Sequence, residues 1–176
     1  YLGRLEPYKR VDLLLRVAAR LVPRFPDLEV VVIGRGQTRE ALERLAGELG
    51  IGARTRFAGF VSDAERDALV AGARVCVCPS VKEGWGITVI EANAVGAPVV
   101  ATDAPGLRDA VRHGETGFLV PDGDEHAFEQ RIGELLSLGP RAEELSQGAR
   151  AWARRFDWDR VAPAFAEAFL EARGAS

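Results

Sequence analysis

From Leu28 to Gly34 the chain reads LEVVVIG, a β-branched run that ends in glycine. Strict alternation of polar and apolar residues is absent from it. Such a strand must be covered on both faces, which is the situation of a central strand in a parallel sheet. Val75 to Pro79 and Pro98 to Thr102 are two further runs of this kind, and Thr55 to Gly59 and Gly117 to Val120 are shorter ones. Tyr1-Leu2 reads as the end of another strand. Helical patterns fill the intervals at Val11 to Val22, Thr38 to Leu49, Asp63 to Gly72 and Ile87 to Val95. In the first, Val11, Leu14, Leu15, Ala18, Ala19 and Val22 mark one apolar helix face. Strands alternating with helices predict an α/β fold, a Rossmann-like parallel sheet of about six strands with helices on both faces.

A chain of 176 residues suits one domain spanning 1–176, large enough to bury roughly two-thirds of its unfolded surface. The net charge of −3 gives nucleic acid no basic stripe to bind. No apolar run is long enough to span a bilayer, and no stretch reads as a signal peptide with a basic start and apolar centre. Cys76 and Cys78, the only two cysteines, would share one face of a strand as small buried hydrophobes. Reduced, buried thiols fit the cytoplasm. The chain has no methionine and opens inside a strand, so we expect an excised domain whose N-terminal partner is absent.

Beyond Glu125 the pattern is helical, broken at Gly139-Pro140 and near Asp157. Asp157 resembles an N-cap of a terminal helix over 157–172. Val161, Phe165 and Phe169 form one stripe of that helix, with Trp158 a turn ahead and Ala162, Ala166 and Leu170 beside it.

In open parallel sheets, ligands bind at the carboxyl ends of the strands. The loop Gly3-Arg4-Leu5-Glu6-Pro7-Tyr8-Lys9 places two cations beside a glycine that permits close backbone approach. Arginine grips phosphate oxygens bidentately and lysine acts as a point charge, although a solvated loop would look the same. Gly34-Arg35-Gly36 begins a dinucleotide fingerprint, but Arg39 stands where its third glycine belongs, so it supports only a turn that admits a ligand.

The segment from Pro79 to Ala92 carries more. It leaves a buried strand, bends through Gly84 and Gly86 and enters a helix at Ile87-Thr88. A helix start of this kind presents free N–H groups and the positive end of the dipole to an anion. Two carboxylates flank it, Glu83 in the loop and Glu91 about one turn inside the helix. An anion site gains from carboxylates only if they accept hydrogen bonds from hydroxyls, as the paired hydroxyls of a ribose or a sugar would offer. The combination points to a nucleoside diphosphate sugar.

The succession Gly3-Arg4 … Lys9, Val32-Ile33-Gly34-Arg35-Gly36, Pro79-Ser80 … Glu83-Gly84-Trp85-Gly86 and Glu91-Ala92 resembles the retaining glycosyltransferases of the GT-B fold, family 4. Gly96 to Ala101, Gly114 to Val120 and Phe156-Asp157-Trp158 are similar too, so the resemblance covers essentially the whole chain. It implies the C-terminal, donor-binding half of a GT-B fold. Arg4 and Lys9 would then hold the diphosphate, Glu91 the ribose and Glu83 the donor sugar. Backbone N–H groups of Gly86, Ile87 and Thr88 would complete the cradle, and the base would lie against Gly59-Phe60-Val61. It further implies transfer with retention, no bound metal or other cofactor, and a departing phosphate that helps deprotonate the acceptor. The acceptor site would belong to the absent N-terminal domain, onto which the terminal helix would pack. Peripheral association with the cytoplasmic membrane face through that domain is compatible with this, and the fragment alone should be inactive.

Three departures stand out. Arg10 occupies a position where the family often has glycine, Asn93 one where methionine or leucine is usual. The loop Asp103 to Asp109 carries Pro105 and Asp109 in place of a second glycine and a glutamate, which leaves its approach to the donor open. His113 and His126 have no partner pattern and read as surface residues. The rival readings are a nucleotide-sugar epimerase, for which no acid/base set is evident, and a non-catalytic module that kept the fold.

Overall fold

The computed structural model describes residues 1–137 and 139–174. In chain order they form α1 (Val11–Leu21), β1 (Val30–Ile33), α2 (Arg39–Glu48), β2 (Thr55–Gly59), α3 (Asp63–Ala71) and β3 (Cys76–Cys78). Then come α4 (Ile87–Ala94), β4 (Val99–Thr102), α5 (Leu107–Ala110), β5 (Gly117–Val120), α6 (Glu125–Leu136), α7 (Pro140–Ala153) and α8 (Trp158–Gly174). The helices lie within a residue or two of the sequence expectation. The exception is α5, a single turn that begins inside what reads as the loop Asp103 to Asp109.

All strand pairs are parallel, but they fall into two sheets, β1-β2 and β3-β4-β5. The expectation of about six strands in one sheet is corrected to five, with Tyr1–Gly3 contributing one bridge from Leu2 to Ile33. That segment runs along the β1 edge opposite β2, where Ile33 N–H donates to Tyr1 O (2.8 Å) and Gly3 N–H to Ile33 O (3.0 Å). The chain turns away from this edge at Arg4.

Period-two alternation assigns the strand side chains to two cores. Val30, Val32, Val77, Val100, Phe118 and Val120 pack with α1 and α6. Cys76, Cys78, Val99 and Ala101 pack on the other face with α3, α4 and α5. The two cysteines therefore share one face as free, buried thiols. Helix α1 is buried over a wider arc than its stripe suggested: Leu13 and Val17 are inside, whereas Ala19 and Val22 only flank the core. The reason is that α1 meets α6 and α2 as well as the sheet.

The Gly34-Arg35-Gly36 turn has a cause within the chain. A Cβ on Gly34 would lie 1.8 Å from Gly3 O, and one on Gly36 would lie 2.2 Å from Leu5 O. Gly3 to Leu5 crosses directly over this turn, and Leu5 N–H donates to Arg35 O (2.9 Å). The close approach that these glycines permit is that of the protein's own backbone.

Candidate functional site

The loops that follow Tyr1–Gly3, β3 and β4 meet at one end of the sheet. The first folds back through a 3-10 turn at Pro7–Lys9. Proline at the first position has a fixed φ suited to such a turn. Tyr8 O then accepts from Val81 N–H (3.0 Å), which joins this loop to the one after β3. Glu83 N–H in turn donates to Pro105 O (3.4 Å), joining the loop after β4. Gly106, at φ +81°, lies so close that a Cβ there would be 2.4 Å from Glu83 O. The loop from Asp103 to Asp109 thus abuts Glu83 despite its departures from the family pattern.

Lys9 and Glu83 meet in this junction, Nζ to Oε1 at 2.5 Å, with side chains only 11% and 14% exposed. A buried ammonium is tolerated when it is paired, and this pair is largely withdrawn from water. Cys78 Sγ lies 4.0 Å from the same carboxylate oxygen. Burial first, and then the Glu83 charge, push its thiol up to about 12, so it stays protonated beneath the site. Arg4 is exposed, and its Nη2 donates to the Tyr8 hydroxyl (2.8 Å). Tyr1 donates its own hydroxyl to Arg4 O (2.7 Å), and burial raises its phenol well above the usual range.

Helix α4 starts at Gly86, which is left-handed (φ 79°, ψ 44°) and provides no side-chain cap. The N–H groups at Ile87 and Thr88 therefore have no side-chain capping oxygen, and the Ile87 side chain beside them is 65% exposed. Gly84 is exposed in the approach to this helix. Trp85 anchors it, packing edge-on against Phe156 (4.8 Å), which packs in the same way against Trp152 (4.9 Å). Trp152 Nε1–H donates to Ala110 O (2.9 Å), so α5 and the turn after α7 brace the glycine-rich loop.

Glu91 stands apart from the Lys9–Glu83 pair. Its ion partner among the described residues is Arg66 of α3, at 3.6 Å. Burial raises its carboxyl above the usual carboxylate range; Arg66 draws it down, and Asp67 and Asp63 push it further up. Just beyond β2, the partly buried Val61 side chain packs against the second core. Its neighbour Phe60 is 75% exposed, with the Arg35 guanidinium 5.4 Å from its ring centroid.

The structure thus joins Arg4, Lys9, Glu83 and the α4 start, and leaves Glu91 on the next turn of the helix. Sequence reasoning passed over Tyr8, Arg66 and the Arg35–Phe60 pair. Tyr8 was detectable as an aromatic between two cations, whereas nothing local marks Arg66. His113 accepts from Leu119 N–H (3.1 Å) and His126 contacts Gln130 (2.9 Å), both away from the site. Among the described residues, no group of three His, Cys, Asp or Glu side chains is placed to hold a metal ion. No helix among them is long and apolar enough to cross a membrane.

The arrangement can hold an anion between two cations and a helix start, with a carboxylate at hand for hydroxyls. Residues 1–152 match the family described as glycosyl transferases group 1. The chain belongs to that family. Its group 1 pattern sets aside the epimerase reading. The domain is 38% identical to a D-inositol 3-phosphate glycosyltransferase of Salinispora tropica, over 98% of this chain and 38% of that protein. It superposes on the sucrose-phosphate synthase of Thermosynechococcus elongatus with a TM-score of 0.89 at 29% identity, over 100% of this chain and 45% of that one. Anabaena HepE, solved in complex with UDP, gives 0.87 at 26% identity, over 97% and 47%. The group 1 domain spans about two-fifths of the length of the curated relatives it matches.

Proposed function

We propose that this group 1 domain binds a nucleoside diphosphate sugar and supplies the donor half of a retaining glycosyltransferase. The observation that carries the reading is the buried Lys9–Glu83 pair beside an uncapped helix start. The Glu83 carboxylate is paired with the Lys9 ammonium. A diphosphate would take that place, leaving Glu83 to accept hydrogen bonds from sugar hydroxyls. Arg4 and the N–H groups of Gly86, Ile87 and Thr88 would take the remaining phosphate oxygens, with the Gly3 backbone close by. Glu91 would accept the ribose hydroxyls, and the base would lie along Gly59-Phe60-Val61. The UDP complex of Anabaena HepE supports uracil as the first base to examine.

In the transfer step, the acceptor oxygen would bond to the sugar's anomeric carbon as the bond to phosphate breaks on the same face. The acceptor proton would pass to the departing phosphate oxygen. Lys9 and Arg4 would stabilise the charge that develops on the leaving diphosphate, an electrostatic contribution that requires no metal. The acceptor site belongs in this reading to an N-terminal domain, consistent with relatives more than twice as long. We place the enzyme in the cytoplasm or at the cytoplasmic face of the membrane.

The test is calorimetric titration with UDP, GDP and ADP, without metal, beside an Arg4→Ala/Lys9→Ala double variant. Hydrogen bonds to charged groups contribute about 1.5–3 kcal/mol each, so the variant should lose at least about tenfold in affinity. Nucleotide binding that survives the double substitution would refute the clamp. Efficient sugar transfer by the chain alone would refute the two-domain reading.

A further inference from the structure

We infer that Tyr8 is the positioning residue of the diphosphate clamp, setting the separation of its cations; this rests on the reading of Arg4 and Lys9 as phosphate ligands. Three contacts converge on this one side chain. Its hydroxyl accepts from Arg4 Nη2 at 2.8 Å. The Lys9 ammonium lies 5.2 Å from its ring centroid, and the Lys82 ammonium lies 5.6 Å from it. Lys9 and Lys82 are the only lysines of the chain, and both are gathered on one ring.

The electrostatics explain why such a ring is needed. Three like charges in one loop cluster repel one another, and only Lys9 has a carboxylate at ion-pairing distance among the described residues. The face of a tyrosine ring carries a negative quadrupole that attracts ammonium groups. Its hydroxyl, at the far end of the ring, holds the third cation by its planar fork. Arg4 is thereby held on the same ring as the two ammonium groups, while its exposed guanidinium keeps other N–H donors for a ligand. Cations gathered on one ring suit two linked phosphates better than one. The backbone of Tyr8 is itself fixed, by Pro7 before it and by Val81 N–H on its carbonyl, so the ring inherits a defined place.

Tyr8→Phe removes only the hold on Arg4, and Tyr8→Leu also removes the π face. Each variant would be titrated with UDP, UMP, inorganic pyrophosphate and inorganic phosphate, with thermal unfolding as the folding control. The hydroxyl deletion should weaken UDP and pyrophosphate about three- to tenfold while changing UMP and phosphate less than about twofold. Tyr8→Leu should weaken all four and UDP most. Equal losses for mono- and diphosphates in Tyr8→Phe, or no loss at all, would overturn the assignment while leaving the donor site intact. If the unaltered chain binds neither UDP nor pyrophosphate, the donor-site reading falls, and the Tyr8 assignment with it.

Discussion

At the scale of single residues, three positions carry a cost in the unliganded protein. Arg10 is the only non-glycine residue with positive φ (51°) among those described, just where the family often has glycine. Left-handed backbone costs a side-chain-bearing residue roughly 1–2 kcal/mol, and the glycine's extra freedom when unfolded offsets part of any relief. Its ion pairs with Asp12 (3.7 Å) and Asp122 (4.0 Å) are partly exposed and weak. Arg10→Gly should therefore stabilise the chain by about 0.5–1 kcal/mol, read from the urea midpoint. Asn93 is fully buried, and neither its Oδ1 nor its Nδ2 has a hydrogen-bond partner. Asn93→Leu should raise stability by about 1–2 kcal/mol, since an unsatisfied buried polar group costs that much. A loss in the same denaturation assay would show that the amide is needed where it lies. Glu91 illustrates the sign of a raised carboxyl: the folded state binds its proton more tightly than the unfolded chain does. Its ionised form therefore destabilises the protein above the raised folded pKa, and this penalty fades as pH falls towards the unfolded value. Glu91→Gln should stabilise the unliganded protein at neutral pH, with a gain that vanishes in acid, while weakening nucleotide binding. A gain independent of pH would rule out the carboxyl as its source.

At the scale of elements, the site is a junction of loops held by contacts remote in sequence. The glycine-rich loop before α4 has few apolar side chains of its own, and its order comes from Trp85 on Phe156 and from Phe156 on Trp152. Aromatic pairs of this geometry contribute about 0.5–1.5 kcal/mol beyond the area they bury. Phe156→Ala should cost about 2 kcal/mol of stability, below the value for a fully buried ring because this one is partly exposed. Amide exchange at residues 84–88 should accelerate as well, by more than at β4 and β5. Uniform acceleration across the chain would mean that the ladder supports only global stability and leaves the loop unaffected.

At the scale of the whole molecule, α8 carries large apolar side chains that the described fold leaves uncovered. Trp158, Phe165, Phe169 and Leu170 are each more than 60% exposed. An apolar stripe of that size left exposed marks a contact surface. The sequence stripe named Val161, Phe165 and Phe169, and the exposure of the two phenylalanines agrees with a helix whose apolar face looks away from this domain. A Phe165→Ser/Phe169→Ser variant should keep its stability within about 0.5 kcal/mol, because these rings contribute little burial here. Marked destabilisation would place the stripe inside the domain's own packing.

Much of this was legible in the residues themselves. Buried parallel strands need continuous apolar runs, so LEVVVIG, VCVCP and PVVAT located β1, β3 and β4 without any knowledge of their neighbours. The loop after β3 followed at once, and with it Glu83 and the start of α4, while the run at Tyr1-Leu2 pointed to Arg4 and Lys9. What stayed hidden depends on approach between distant segments. The glycines at 34 and 36 looked like a ligand's turn, and only the crossing of Gly3 to Leu5 above them revealed a steric cause within the chain. The grip of Arg66 on Glu91, the gathering of both lysines on Tyr8, and the division of the strands into two sheets have no local pattern either. Sequence alone determined which segments form elements and which residue types stand at their ends, because hydrophobic periodicity and backbone preference act over a few residues. Tertiary structure alone decided which of those residues touch, because contact and charge pairing depend on distance in space.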